Sequence, residues 1–513
     1  MPKTLSATRS TSTQTIGERL GDGRVLLAVL AVYFLVNVAV RLILPHGLEL
    51  DEAEQVYLSQ WFLAGYGSQP PFYNWLQHGA LAIFGMSLGT LAGLKGLMLF
   101  VSYLFNYLAA RQVVEDKRLA VIAALGLLTL PQVSFEAQRD LSHTVAAIFG
   151  ASLFLYALLK VISAPSLFAF LLFGIATGIG GITKYNFAVV PVAAGLAVLM
   201  DRDMRRTMLS WRLLPAALLA FVVVAPHAYW LLGNFQAASD HTLKKLSTDD
   251  AGVIVAIGEG LSSLAIGLLS FLGLTIIVFG LVYREHLTTV IKANNRWTRL
   301  IGRTLLLSVA LIVLMILFAG FENVRDRWLT PILLAVPLYL ALKIDAAKIP
   351  TGAGLKRLWG VAIVIMIIVP IALSVRASMG WIKGDYGYVN IPFAALTKTV
   401  ADKAESAHTL IVASDGQLAG NILFNRPDLP VAMTPPPVTM TERPIDGYDR
   451  IVFVWRRKDG GMPASFQDEF GDYLREQRID ATQRDTAIVG YPYQWGRPMD
   501  QYRFAYAVVD LRK

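Results

Sequence analysis

Eleven apolar runs recur between residues 25 and 376, each long enough to approach or cross a bilayer. They lie at about 25–44, 90–110, 119–135, 141–160, 165–183, 186–200, 213–232, 253–283, 304–320, 329–342 and 358–376. In hydrocarbon every backbone amide must find its partner within the chain, so such runs fold as helices. Several are shorter than the roughly 20 residues a perpendicular span needs, which predicts broken or tucked helices among them. With 55% hydrophobic and only 16% charged residues, the chain is far more apolar than a soluble protein of this length. The expected fold class is a polytopic α-helical membrane protein of about eleven transmembrane helices. Residues 1–22 are polar and Ser/Thr-rich, and no small-residue cleavage site clearly follows the first run. That run reads as a retained anchor rather than a signal peptide.

Charge assigns the two sides. The N-terminal segment and alternate loops carry 21 Lys and Arg, whereas the remaining loops carry six: Arg139, Lys184, Lys244, Lys245, Arg325 and Arg327. The positive-inside bias puts the basic side, with the N-terminus, in the cytoplasm. An odd number of spans then puts the C-terminus outside, in the periplasm of a Gram-negative cell. The net charge of +9 belongs to the cytoplasmic loops, since residues 381–513 are close to neutral. It therefore serves topology and implies no nucleic-acid partner. Cysteine is absent, which excludes a disulfide framework, a thiolate nucleophile and a Cys-based metal site.

Three organisational units are expected: 1–22, a cytoplasmic segment; 23–380, the membrane domain; and 381–513, a small α/β extracytoplasmic domain. In the last, Thr409–Ala413, Arg450–Trp455 and Phe504–Val509 read as strands, Ser465–Gln477 as an amphipathic helix and Pro430–Pro444 as a Pro-rich loop.

Between residues 45 and 78 there are four carboxylates (Glu49, Asp51, Glu52, Glu54) and no Lys or Arg. Carboxylates beside hydrocarbon cost free energy unless they are solvated, paired or used. A carboxylate at the outer membrane edge could take a proton from a hydroxyl acceptor. The few outer cations could hold an anionic phosphate opposite it, or could simply snorkel to lipid headgroups.

These residues match a family. Asp51-Glu52-Ala53-Glu54-Gln55-Val56-Tyr57 followed by Gln69-Pro70-Pro71-Phe72-Tyr73-Asn74-Trp75-Leu76 resembles the first outer loop of GT-C glycosyltransferases of family 39 type. That family includes the aminoarabinose transferases of lipid A and the protein O-mannosyltransferases. Gly181-Ile182-Thr183-Lys184-Tyr185-Asn186 ahead of Pro191, and Arg325-Asp326-Arg327-Trp328-Leu329-Thr330-Pro331, resemble two further segments of it. The likeness covers roughly residues 25–345. It implies a GT-C fold and inverting transfer of one sugar from a polyprenyl-phosphate donor to a lipid or glycolipid acceptor outside the membrane.

The resemblance also implies roles. Asp51 matches the first-loop aspartate and is the expected general base. Glu52 adjoins it as a second catalytic candidate or a structural partner. Asp140 matches the family's second acidic position and would bind the acceptor or orient the base; as a helix N-terminal carboxylate it could also serve the helix dipole. His143, one turn on, reads as a satisfied helix residue. Lys184, Arg325 and Arg327 are the phosphate candidates, although Asp326 could pair with one of the arginines. Tyr73, Trp75 and His227 could face the sugar, as could the stretch to Asp250 with Lys244, or they could belong to an interfacial aromatic belt. Gln69 replaces the Lys that many aminoarabinose transferases have before Pro-Pro. The segment Gly67-Ser68-Gln69-Pro70-Pro71-Phe72-Tyr73-Asn74-Trp75 looks closer to the rhizobial galacturonosyltransferase branch, which modifies lipopolysaccharide core or lipid A from a polyprenyl-phosphate galacturonate. No His/Asp/Glu set shows metal-ligand spacing, though Asp51, Glu52 or Asp140 could hold a divalent ion. Two other classes stay open on the residues alone: a lipid or sugar transporter, and a non-catalytic binding protein acting through its tail.

Overall fold

The computed structural model describes residues 16–243, 253–404, 408–434, 447–456 and 487–511, with Pro463 and Phe466. The membrane part is built from helices α1 (Gly23–Ile43), α2 (Leu50–Leu58), α3 (Phe72–Phe84), α4 (Leu88–Arg111), α5 (Lys117–Gly126), α6 (Ser142–Ser163), α7 (Leu167–Gly181), α8 (Val189–Leu199), α9 (Leu213–Leu243), α10 (Val253–Val282), α11 (Arg296–Ala319), α12 (Val336–Ala346) and α13 (Thr351–Ser378). Among the described residues seven helices are long and apolar enough to cross a membrane. The 119–135 run is a bent pair, Lys117–Thr129 and Gln132–Arg139, meeting at 76°. Pro131 sits at the break, where a residue without an amide hydrogen cannot continue the ladder. The runs at 165–183 and 186–200 become short apolar helices. The run at 329–342 becomes α12 with one turn, Thr330–Leu333, ahead of it. Every expected run is helical, and four of them, at 119–135, 165–183, 186–200 and 329–342, are the broken or tucked members.

Large apolar side chains such as Leu35, Ile43, Leu214, Leu232, Ile254 and Phe318 stand exposed on the helix flanks, as lipid-facing residues must. The basic loops gather at one end of the bundle. There Lys343 donates to the Ile291 and Ala293 carbonyls, Arg357 meets Glu285, and the Trp359 indole donates to the Leu20 carbonyl. The acidic segment and the C-terminal sheet lie at the other end.

Two helices at that other end occupy what reads as loop in the sequence. α2 starts on the acidic run itself, with the Glu49 amide donating to Glu52 Oε2 at 3.3 Å. α3 starts directly after Pro70-Pro71.

The C-terminal part contains α14 (Phe393–Lys403), β1 (Thr409–Ala413), α15 (Gly416–Asn425), β2 (Val431–Met433), β3 (Arg450–Arg456), β4 (Ala487–Pro492) and β5 (Gln501–Asp510). The sheet order is β2-β1-β3-β5-β4, parallel at β2/β1 and β1/β3 and antiparallel beyond. The three expected strands are present. β2 falls inside the stretch expected to be a Pro-rich loop; the helix expected at Ser465–Gln477 lies, apart from Phe466, outside the described residues.

The core has two main bodies. One runs through the helical bundle, from Leu26 and Tyr103 to Leu342 and Leu358. The other joins the sheet to the acidic segment: Leu48, Ala53, Val56 and Tyr57 pack with Phe393, Leu396, Ile411, Leu418, Ile422, Val452 and Phe504. The C-terminal domain is therefore not packed on itself alone. It shares a hydrophobic core with α2.

Candidate active site

The start of α2 brings three carboxylates to one place: Glu49 and Glu52, three positions apart, share one face, whereas Asp51 diverges from its neighbour Glu52 by about 100°. Glu52 turns inward, with 5% of its side chain exposed. It meets Arg41 Nη2 from α1 at 3.0 Å and Lys95 Nζ from α4 at 3.1 Å. Burial alone would push its carboxyl up, but Lys95 and Arg41 outweigh burial and hold it at about 2. Glu49 receives Arg376 Nη1 from α13 at 2.6 Å. The expectation of Glu52 as a catalytic carboxylate is corrected by this pairing: both its oxygens are committed, and it is not among the residues lining the cavity.

Asp51 faces the other way, into a cavity of about 910 Å³. One end of this cavity is polar, with Asp51, Glu54, Gln69, His143, Lys184 and Arg327 on its walls. The other end is apolar and runs between α8 and α11, along Val189, Val192, Leu311, Met315 and Phe318.

Asp140 reaches Asp51 from the break before α6. Its Oδ2 lies 3.5 Å from the Asp51 amide nitrogen, and among the described residues its Oδ1 has no partner. Burial and then the charge of Asp51 push its carboxyl up to about 8, against the pull of Lys95. At neutral pH Asp140 is a protonated carboxyl beside an acceptor. It does not cap α6. That position is Leu141, which adopts a left-handed conformation (φ 64°, ψ 50°) without any side-chain cap bond. A bulky residue there costs about 1–2 kcal/mol. Strain of this kind persists where surrounding structure imposes it and collects at functional sites.

Lys184 Nζ is 3.0 Å from Thr144 Oγ1. Burial and the neighbouring charge of Arg327 pull its ammonium down to about 8, with Asp51 and Asp326 opposing. Asp326 accepts from Gln132 Nε2 at 3.0 Å and from the Arg327 backbone amide at 2.7 Å. Among the described residues it forms no ion pair with either arginine, so Arg327 keeps its charge for the cavity. Arg325 is half-buried and does not line it.

The aromatic candidates fall elsewhere. Tyr73 is buried, its ring 6.0 Å from that of His143. Trp75 stacks on Phe62 and donates its indole to the Leu63 carbonyl at 2.7 Å. His227 lies 2.9 Å (Nδ1) from the Ala64 carbonyl, to which it must donate, so its Nε2 accepts from the Tyr185 hydroxyl at 3.2 Å. Its ring stacks on Trp230. None of the three lines the cavity, so of their two readings the one that has them facing the sugar gains no support from it. Lys244 lies outside the described residues.

His143 lines the cavity, and neither of its ring nitrogens has a partner among the described residues. The reading of it as a satisfied helix residue is corrected. The signal that could have found it is its nearness in sequence to Asp140, at the start of the apolar run beginning at 141. Among the described residues no three His, Asp or Glu side chains gather to hold a metal ion.

Comparisons fit this geometry. A profile of the dolichyl-phosphate-mannose-protein mannosyltransferase family matches residues 68–230. The lipopolysaccharide core galacturonosyltransferase RgtA of Rhizobium johnstonii is 41% identical over 485 residues, covering 94% of this chain and 96% of that protein. RgtB of the same organism, also a lipopolysaccharide core galacturonosyltransferase, is 41% identical over 486 residues, 94% of this chain and 97% of its own. The crystal structure of ArnT from Cupriavidus metallidurans in the apo state superimposes with a TM-score of 0.61 at 14% identity, covering 94% of this chain and 97% of that one. The same protein bound to undecaprenyl phosphate gives 0.59, with the same identity and coverage. The fold is that of a multi-pass membrane glycosyltransferase of the GT-C class. The chain belongs to the family of the lipopolysaccharide core galacturonosyltransferases. Membership in this family overturns the transporter and non-catalytic readings.

Proposed function

We propose that the chain transfers galacturonic acid, with inversion, from a polyprenyl-phosphate carrier to a sugar of lipopolysaccharide core or lipid A. The reaction takes place at the periplasmic face of the bacterial inner membrane, with the N-terminus in the cytoplasm and the C-terminal domain in the periplasm. The observation that carries this reading is the cavity's two-part character: a charged end containing Asp51, Lys184 and Arg327 continues into an apolar groove between α8 and α11. A polyprenyl tail suits the groove, and a phosphate suits the cations. The 41% identity to two galacturonosyltransferases supports the sugar and the class of acceptor. The asymmetry of basic loops supports the orientation.

In this mechanism Asp51 takes the proton of the acceptor hydroxyl as its oxygen attacks the anomeric carbon. The bond from that carbon to the phosphate oxygen breaks, and polyprenyl phosphate leaves. Lys184 and Arg327 stabilise the charge that develops on the leaving phosphate. Asp140, protonated, donates a hydrogen bond toward Asp51 or the acceptor and thereby orients the base. The two aspartates thereby divide the roles of base and hydrogen-bond donor between them. Glu52 and Glu49 hold α2 in place.

The test supplies purified enzyme with radiolabelled polyprenyl-phosphate sugars and a lipopolysaccharide acceptor lacking galacturonate. Labelled lipopolysaccharide is expected from the galacturonate donor and not from the aminoarabinose or mannose donors. Efficient transfer of another sugar, with galacturonate inert, would overturn the donor assignment.

A further inference from the structure

We infer that the C-terminal domain is the positioning device for Asp51, clamping the chain from His46 to Ala53 so that the first turn of α2 presents this carboxylate to the cavity. The inference rests on the reading of Asp51 as the base.

Four successive contacts make the clamp. The His46 amide donates to Gln494 Oε1 at 3.0 Å. The Gly47 amide donates to the Val389 carbonyl at 3.1 Å, and a methyl group at Gly47 would lie 2.6 Å from that oxygen. Both sides of Leu48 are held by α15: its amide donates to Asn421 Oδ1 at 2.8 Å, and its carbonyl accepts from Gln417 Nε2 at 3.3 Å. Asn421 and Gln417 are buried. Arg456 on β3 orients Gln417 by donating to its Oε1, and it also meets Asp415 at 2.9 Å. The sheet is thus tied to Leu48 through one side chain. At the fourth contact α15 lies directly on α2, so closely that a methyl group at Gly420 would overlap the Ala53 carbonyl. Only glycine permits that approach.

From below, the membrane helices hold the same turn through Arg376 on Glu49 and through Arg41 and Lys95 on Glu52. The turn is fixed from two sides, and Asp51 is the first-turn carboxylate that faces the cavity. Among the described residues the C-terminal domain supplies no wall of that cavity, whose lining residues end at Ile332. Its contribution to the reaction is therefore position rather than contact.

The experiment uses the full-length enzyme and measures kcat together with binding of undecaprenyl phosphate. Gly420→Ala must push α15 and α2 apart. It is expected to lower kcat by about 10²-fold, the scale of an ångström's misplacement of a reacting group, while carrier binding stays at the wild-type value. Gly416→Ala, on the same helix but with only an ordinary contact to Met433 Sδ at 3.4 Å, is the control and should keep its rate. In an Asp51→Asn background Gly420→Ala should cause no further loss, because misplacing an absent base costs nothing. Asn421→Leu, which removes the acceptor for the Leu48 amide, should behave the same way and serves if Gly420→Ala fails to fold. Wild-type kcat in both variants, losses that multiply with Asp51→Asn, or a parallel loss of carrier binding would each overturn the inference. If Asp51→Asn keeps the wild-type rate, the base assignment falls and takes the inference with it. An inactive Asp51→Asn with a fully active Gly420→Ala removes the inference alone.

Discussion

Two charge clusters sit a few residues apart at one end of the bundle, built from the same residue types and put to opposite uses. In the first, Glu49 and Glu52 are buried against Arg41, Lys95 and Arg376 at 2.6–3.1 Å. In the second, Asp51, Lys184 and Arg327 line the polar end of the cavity with Asp140 against the Asp51 amide, and among the described residues none of the four forms an ion pair. A buried pair has its hydrogen-bonding capacity filled by its partner, so it can only hold structure. Charges brought close without direct pairing keep capacity for a ligand and shift one another's protonation. The shifts of Asp140 and Lys184, both to about 8, are the electrostatic mark of the second cluster.

The comparison breaks most sharply at the adjacent pair Asp51 and Glu52. Asp51→Asn keeps shape and loses basicity, so transfer should fall about 10²–10⁴-fold with carrier binding and thermal stability intact. A near wild-type rate in steady-state assays would merge the two clusters into one structural feature.

Glu52→Gln should do the reverse. It leaves Arg41 and Lys95 as uncompensated buried charges, at a cost in stability of about 3–5 kcal/mol. Thermal unfolding in detergent would read this directly, and unchanged stability would show that the first cluster is not structural. The sign with pH follows from a folded value of about 2 against an ordinary value of 4.5. The Glu52 contribution is fully present above 4.5 and is lost as pH falls toward 2.

Within the second cluster, Lys184→Ala and Arg327→Ala should each cost about 2–4 kcal/mol of transition-state stabilisation and weaken carrier binding. Calorimetric titration with undecaprenyl phosphate checks the binding, and wild-type affinity in both would remove the phosphate assignment. The same cluster predicts an alkaline limb in kcat/KM near pH 8, since Asp140 loses its proton and Lys184 its charge there. Asp140→Asn stays neutral at all pH and should leave only the Lys184 limb. A profile flat to pH 10 would contradict both shifts. The smallest effect is expected at Arg325, half-buried and off the cavity: Arg325→Ala should change rate and stability by no more than about 0.5 kcal/mol.

Much of the fold was legible because the solvent dictates it. Every apolar run became helical; those at 119–135, 165–183, 186–200 and 329–342 became the bent pair at Pro131 and the short helices α7, α8 and α12, whereas the equally short run at 304–320 lies in the 24-residue α11. The strands at Thr409, Arg450 and Phe504 followed from β-branched and aromatic runs. α2 was not legible as a helix, since nine residues with four polar side chains in its first six positions carry little apolar periodicity. Its one local sign was Glu49 followed three residues later by Glu52, the spacing through which the helix start is tied. In the site, Asp51, Gln69, Asp140, Lys184 and Arg327 were found in sequence and stand around one cavity or directly against it. Tyr73, Trp75 and His227 stayed open in sequence because an aromatic at a membrane edge packs against protein, lipid or sugar with the same chemistry.

By itself the sequence determined the helices, the separation of a basic end from an acidic one, and the short inventory of charged residues from which the site is made. These depend on what each residue does in water, hydrocarbon or a field, and such preferences are local. Only the tertiary structure decided which charges were spent on structure and which were left for chemistry. Arg376 reaches Glu49 across 327 positions, Lys95 reaches Glu52 across 43, and Asn421 holds Leu48 across 373. Whether a carboxylate is an anchor or a base turns on a few ångströms between residues so placed, because an ion pair's strength in a low-dielectric setting depends on contact, and contact is a property of the packed chain.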